Sequence, residues 1–426
     1  MLDKNIITAY ESILREELVP AMGCTEPIAI AYAAAILRDA LGCAPEAIEA
    51  GLSGNIIKNV KSVIVPATGG RHGIEAAIAA GILSARPDLR LEVLTVLGED
   101  AGERIEAILA TTAITVSEIN SPCTFDLTVT ATAAGNSARV SISGTHTGVT
   151  HVSRNGVDLT DRYTGDEGVS ACEHIDRSIL NVRDIVSFAE ECDLAPLAPI
   201  LRRQIELNMA IAKEGIENDW GASIGRLLIT RGNSVARRAR AYAAAGSDAR
   251  MSGCELPVCI ISGSGNQGIT ASVPVAVYAS DMGSSEEELL RSLIVSDLIT
   301  IHQKTGIGTL SAYCGAISAG VGAGAGICFL HGGRFYEIAH TLVNAVAILS
   351  GTICDGAKPS CAAKIAMAVE AGIMGFEMTR TGRQFYGGDG IVTKGVENTI
   401  RNVGRLARDG MSETDREIIR IMLGKG

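Results

Sequence analysis

Large side chains are scarce in this sequence. Aromatic residues make up 4% of its 426 positions, with a single tryptophan. A core must therefore come from closely approaching backbones, which 48 glycines and several alanine-rich runs supply. Positive charge is short as well: a formal charge of −11 with no lysine-rich run repels nucleic acid and anionic membrane surfaces, leaving a small-molecule role as the expectation. The first 23 residues lack an uninterrupted apolar segment, being broken by Asp3, Lys4, Glu11, Arg15, Glu16 and Glu17. That argues against a secretory signal and for a cytoplasmic location. No GxxxxGK[ST] string and no strand-flanked GxGxxG occurs, so nucleotide binding has no motif. Charge is missing altogether from Thr305 to Leu330, a run long enough to cross a bilayer. Seven of those 26 residues are glycine, however, and no second such run exists, so a buried helix is expected there and not a membrane span.

What is present describes a globular chain: 47% hydrophobic and 20% charged residues. Its length exceeds what one core usually serves. Helical spacing in IITAYESILREELV and PIAIAYAAAILRDAL predicts two helices in the first 40 residues, with Thr25 as N-cap of the second and Cys24 just before it. Between about 90 and 160 the β-branched runs TAITVSEI, FDLTVTATA and ARVSISG predict a small, mostly antiparallel sheet, with Asn155-Gly156 as a hairpin turn. Helical periodicity then dominates to the last element, SETDREIIRIMLG, which opens on a capping-box pattern at Thr414 and Glu417. The expected fold class is α+β: an N-terminal domain of helices and a small sheet over 1–190, and a mainly α-helical domain over 191–426 that binds the substrate and any metal group.

Eleven cysteines, an odd count without an export signal, favour free thiols or metal ligands over disulfides. Cys314, Cys328, Cys354 and Cys361 all stand in glycine- or serine-rich surroundings. Asp, Gly, Pro and Ser between Cys354 and Cys361 describe a tight loop able to aim two sulfurs at one centre. Structural zinc prefers closer pairs, whereas an iron-sulfur cluster accepts wider spacing, and three thiolates leave one iron open. The ordinary alternative, thiols acting as small buried hydrophobes, stands beside this at the level of composition. A second stretch, SGSGNQGITASVPV, is a loop entering a helix whose amides suit an anion, with Asn266 and Gln267 as further donors. A similar loop holds the substrate carboxylate in many pyridoxal-phosphate lyases. No lysine lies between Lys213 and Lys304 to form the Schiff base those enzymes need, so no pyridoxal phosphate is expected. Cys24 is the third candidate, a thiol whose ionisation the helix macrodipole should favour. Among the histidines (His72, His146, His151, His174, His302, His331 and His340) there is no HxH or HExxH spacing, and only His146 sits in a small polar loop.

PAMGCTEPIA, SGNIIKNV, GTHTGVTHV, SDARMSG, SGSGNQGITASVPV, SAYCGA and TICDGAKPSCAAK, in this order across almost the whole chain, resemble the L-cysteine desulfidase family, relatives of the iron-sulfur L-serine dehydratase α-chain. The resemblance implies a 4Fe-4S cluster on Cys314, Cys354 and Cys361, separated by 40 and 7 residues as the family pattern requires, and leaves Cys328 structural. Such an exposed cluster is oxygen-labile and is expected to be lost in aerobic preparation. The resemblance also implies that Cys24 is the base, and that the reaction is β-elimination of L-cysteine to pyruvate, ammonia and sulfide. Thr25, Asn55, Lys58, Asn59 and His146, with Ser262, Ser264, Gly265, Asn266 and Gln267, are the polar residues expected around the amino acid. The resembling serine dehydratases cap the open iron with a C-terminal cysteine, and here no cysteine follows Cys361, which leaves the site open to a thiol substrate. L-Serine dehydration on the same cluster and a non-catalytic iron-sulfur redox sensor are the competing expectations. The expected partners are a small amino acid and, in assembly, a second copy in a homodimer, with neither nucleic acid nor membrane.

Overall fold

The computed structural model describes residues 2–119, 121, 123, 125–164, 175–308 and 311–422; His174 lies outside them. The first half carries α1 (Lys4–Glu17), β1 (Val19–Met22), α2 (Thr25–Leu41), β2 (Ala47–Ser53), α3 (Gly54–Val60), α4 (Gly73–Ser84), α5 (Ala101–Thr111), β3 (Ala113–Ile119), β4 (Asp126–Ala133), β5 (Asn136–Ser143), β6 (Val149–Arg154), β7 (Val157–Asp158), α6 (Thr160–Thr164) and α7 (Val182–Glu191). The second is helical apart from β8 (Pro257–Ile260): α8 (Ala198–Glu217), α9 (Ile224–Ile229), α10 (Val235–Met251), α11 (Gly265–Met282), α12 (Glu286–Ile307), α13 (Gly315–Leu330), α14 (Phe335–Ile348), α15 (Cys361–Arg380), α16 (Val396–Arg405) and α17 (Ser412–Met422). This is the α+β class expected.

The larger sheet runs β3-β2-β4-β5-β6-β7, antiparallel except for β2 beside β3. Alternation along β4 and β5 turns one face inward. Buried α2 packs on that face, with α4 on the helix's other side. Asn155 and Gly156, both at positive φ, close the β6–β7 hairpin as their sequence predicts. Strand β2, AIEAGLS, has no β-branched run beyond one isoleucine. It is held by pairing on both edges, a tertiary constraint that overrides local propensity.

In the second half the charge-free run supplies the last residues of α12 and, from Gly315 to Leu330, α13, buried along nearly its whole length and surrounded by α11, α12, α14 and α15. None of the helices among the described residues is long and apolar enough to cross a membrane. A Cβ on Gly320 would strike Ala368 O, and one on Gly324 would strike Gly372 O. Both partner numbers rise by four together, so α13 and α15 run parallel with backbones in contact and their N-termini side by side. Two links tie the halves of the chain. Strand β1 pairs with β8, Val19 against Ile260 through Met22 against Pro257. Helix α17 lies on α3, with Lys58 Nζ 2.5 Å from Asp415 Oδ1. The capping box expected at Thr414 does not form, because α17 is entered two residues earlier from the preceding turn, with the Asp415 amide donating to Met411 O.

Two predictions follow from this packing. Gly324→Val should separate α13 from α15 and cost about 1–3 kcal/mol, the scale of an overpacked core, read as a lower urea midpoint. Asp297 on α12 is fully buried, with Oδ1 bonded to Gln204 Nε2 at 3.0 Å and Oδ2 unpartnered among the described residues. Burial pushes its carboxyl up to about 7, against the Gln204 bond. A raised folded-state value stabilises at low pH and is lost as pH rises through it, so wild-type stability should fall between about pH 4 and 7 by an amount on the order of 4 kcal/mol. Asp297→Asn should remove that slope in melting temperatures taken across this range.

Candidate active site

Several helix N-termini meet at one cavity of roughly 100 Å³. Cys24 is itself the N-cap of α2 and Thr25 its first helical residue, one position from the expected cap. Cys314 is the N-cap of α13, Cys361 the first residue of α15, and Ser264 the N-cap of α11. Each placement has a local cause. The β1–β8 pair sets Cys24 beside the 262–264 turn, where Ser262 and Gly263 both have positive φ and Thr25 Oγ1 donates to Gly263 O at 2.7 Å. A bridge between Tyr313 and Ile353 brings the next two thiols together: the Cys314 amide donates to Thr352 O at 2.9 Å and the Cys354 amide to Ala312 O at 2.7 Å. The parallel α13 and α15 place Cys361 alongside. Gly315 is required because a Cβ there would lie 2.6 Å from Gln267 Cδ.

One wall of the cavity is therefore three thiols. Those of Cys314 and Cys354 are close enough to couple, and Cys361 interacts with both. The Cys314 thiol holds Cys354 down to about 6 despite burial, helped by Lys58, the Gly356 amide and Lys364. The same coupling, with burial, raises Cys314, so the pair readily carries a single proton. Burial also raises Cys361. Lys304, on this wall, is pushed down to about 8 by burial, against the pull of Cys354 and Cys314. Among the described residues no three His, Cys, Asp or Glu side chains close around a single metal ion.

The other wall centres on Glu26. Its Oε2 accepts from Cys24 Sγ at 3.2 Å and shares the Thr25 hydroxyl proton, at 3.2 Å, with the nearer Gly263 O, and its Oε1 accepts from Asn59 Nδ2 at 2.9 Å. Burial would raise Glu26, but His146, the Cys24 bond, its own amide and Arg250 outweigh it and hold the carboxyl below its ordinary range. The expectation for Cys24 is overturned: its pKa is raised well above the usual value, first by burial and then by the adjacent Glu26 charge. Desolvation of a fully enclosed thiol defeats the helix dipole, and the resting pair is a Cys24 thiol donating to a Glu26 carboxylate. His146 packs its ring 4.6 Å from Phe125, leaves Nε2 buried without a partner among the described residues, and has its pKa lowered by burial against the pull of Glu26.

Cys24, Asn59, His146, Ser262, Ser264, Asn266, Gln267 and the three thiols all line this cavity, and Gly265 opens α11 beside it. Lys58 acts on Cys354 from behind while paired to Asp415. Asn55 instead lines a separate cavity of about 730 Å³, with Asp415 and Arg416 of α17. Cys328 is buried within α13, and all cysteines of the described residues are free. Three residues of the cavity went unrecognised in the sequence. Glu26 reads there only as a first-turn acid, Arg250 as part of SDARMSG, and Lys304 as the end of a lysine-free stretch.

Residues 181–420, which include the three-thiol wall, match the family model described as serine dehydratase alpha chain. A UPF0597 protein of Desulfitobacterium hafniense is 54% identical over 98% of this chain and 96% of its own. Others from Lachnoclostridium phytofermentans and Treponema denticola are 47% and 42% identical, covering 96% and 99% of this chain and 98% and 99% of theirs. With over half its length matched by that family model and full-length relatives at this level of identity, the chain belongs to the serine dehydratase alpha chain family.

Proposed function

We propose that this protein is a 4Fe-4S-dependent lyase that removes the β-substituent of a small L-amino acid, L-cysteine in preference to L-serine. The observation carrying the proposal is that three thiols and a hydrogen-bonded Cys24–Glu26 pair line one small cavity. The donor set fits the cluster. Three soft ligands come from two segments of chain, the N-termini of α13 and α15 favour thiolates, and Lys58 and Lys364 add positive charge behind Cys354. Cys314, Cys354 and Cys361 would hold it. A cluster bound by three thiolates offers one open iron as a Lewis acid toward the leaving group.

The chain's own residues supply the proton chemistry. The Cys24 Sγ proton passes to Glu26 Oε2, 3.2 Å away, and the resulting thiolate takes the proton from the substrate Cα. The Cα–H electrons form the Cα–Cβ double bond as the Cβ–S bond breaks and sulfide leaves. Aminoacrylate then tautomerises and takes up water, giving pyruvate and ammonia. Asn59 and Thr25 fix the Glu26 carboxylate in the acceptor position. The closed wall around Cys24 keeps bulk water from quenching the thiolate.

Activity should be tested anaerobically after cluster reconstitution. Cys24→Ala should keep the cluster absorption and iron content yet lose roughly 10²-fold or more in turnover, the usual scale for a general base; near-normal turnover would reassign the base. In Glu26→Gln the thiol must ionise directly. Because burial raises Cys24 above the usual thiol range, the activity of that variant should climb with pH beyond about 9, whereas the wild type, with Glu26 already ionised, should stay flat down to the ordinary carboxylate range. Substrate choice is read side by side, following pyruvate for both amino acids and sulfide for cysteine. Cysteine should give the higher kcat/KM, since sulfide is the better leaving group and softer ligand. Efficient pyruvate formation from serine, with cysteine only inhibiting, would make the protein an L-serine dehydratase with the same residues in the same roles. Reconstituted cluster without turnover of either would leave a redox sensor.

A further inference from the structure

The helix that carries Lys304 is aimed at the thiols by its packing. A Cβ on Gly322 of α13 would strike Thr300 Oγ1 and Ser296 O of α12, and one on Gly326 would strike Ser292 O. The α13 number rises by four as the α12 number falls by four, so the two helices run antiparallel and the last turn of α12 lies beside the first turn of α13. Gln303 Nε2 marks that end by donating to Ser318 O at 3.2 Å. Lys304, the next residue, is therefore carried to the start of α13, where it lines the same cavity as Ser311, Tyr313 and Cys314. It is near enough to Cys354 and Cys314 to feel the charge of both.

A lysine in the last turn of a helix is ordinary, since the carbonyl end of the dipole favours it, but such side chains usually reach water. This one is 5% exposed, and its Nζ donates to Gly308 O at 2.6 Å, just past the helix end. An ammonium has three N–H donors, so that anchor holds it in place while it donates to a ligand. Arg250, the other lysine or arginine lining the cavity among the described residues, is bonded to Gly23 O beside Cys24. Positive charge is thus divided between the base and the thiols. At the thiols it stands where a β-elimination needs it. As the Cβ–S bond breaks, its electron pair leaves with the sulfur, and a donor enclosed away from water is worth most to the charge that grows there.

We infer that Lys304 serves the leaving group: its ammonium donates a hydrogen bond to the β-heteroatom of the substrate and counters the negative charge that develops on it. The inference rests on the lyase reading of the same cavity and adds a catalytic residue to it. The step balances without a further reactant. The Cα proton goes to Cys24, its electron pair becomes the second Cα–Cβ bond, and the sulfur departs as hydrosulfide with the Cβ–S pair, hydrogen-bonded to Lys304 and taking no proton from it. Chloride, a stable anion and a weak acceptor, gains less from such a bond than sulfur or oxygen does. Lys304 therefore sets how poor a leaving group the site can expel.

The test compares substrates on the anaerobically reconstituted protein and adds a binding measurement that needs no turnover. Lys304→Met should lower kcat for cysteine by roughly 10²-fold, the scale of removing one donor to a developing anion, and kcat for β-chloro-L-alanine by less than about 10-fold. KM should change little, because the bond strengthens only in the transition state. Lys304→Arg, which keeps a cationic donor, should recover part of the cysteine rate, and Lys304→Gln serves in place of the methionine variant if that one does not fold. In calorimetry, hydrosulfide should bind wild type at least about 10-fold more tightly than Lys304→Met, with iron content and visible spectrum the same in both. Equal losses on the two substrates, or unchanged hydrosulfide binding, would each overturn the inference. So would loss of iron in Lys304→Met, which would make the lysine a support of the thiols. Lysine-dependent hydrosulfide binding without pyruvate from any substrate would sink the lyase reading and leave the contact between Lys304 and a sulfur anion standing.

Discussion

The contact on which the site depends is the bare backbone seam between α13 and α15. Gly320 and Gly324 on one helix and Ala368 and Gly372 on the other allow an approach that any larger residue would block. Because the helices run parallel, their first residues end side by side, and those first residues carry Cys314 and Cys361. The short bridge from Tyr313 to Ile353 then adds Cys354. Three thiols separated by up to 47 positions in the sequence thus share a wall without any one loop needing an unusual shape. The scarcity of aromatic side chains, which first looks like a deficiency of the composition, is what such a seam requires.

The cavity is polarised by design of its surroundings. Four helices direct N-terminal ends at it, and Arg250, Lys58 and Lys304 add positive charge. Against this stand the Glu26 carboxylate and thiols that are mostly protonated when alone. The balance favours anionic occupants on both walls at once. Burial works in the opposite direction for Cys24, and its magnitude decides the outcome: a helix terminus contributes of the order of 1 kcal/mol, whereas enclosing a charged group fully costs several. Glu26, held in place by three donors, is the group that makes such a thiol usable.

Much of this was legible in the sequence where a residue's role is local. The hairpin at Asn155-Gly156, the first two helices and the charge-free run that became α13 all follow from turn chemistry and periodicity. What could not be read was set by partners distant in the chain. AIEAGLS is a strand only because neighbours pair on both its edges. Asn55 and Asn59, one helical turn apart, line different cavities, the one beside Asp415 of α17 and the other beside Glu26. Glu26 looked like any acid in a first turn because Asn59, which fixes its Oε1, comes from another helix. Arg250 is invisible for the same reason: its bond to Gly23 O joins residues 227 positions apart.

The link between Lys58 and Asp415 has a consequence for the order of biosynthesis. Lys58 helps set the acidity of Cys354, yet it is buried at 2% exposure and its carboxylate partner is translated 357 residues later. Until α17 has left the ribosome and docked on α3, the lysine has no reason to stay enclosed, and the thiol beside it lacks its final charge environment. The electrostatic setting of the three-thiol wall is therefore complete only once α17 has docked on α3, 357 residues beyond Lys58 in the sequence.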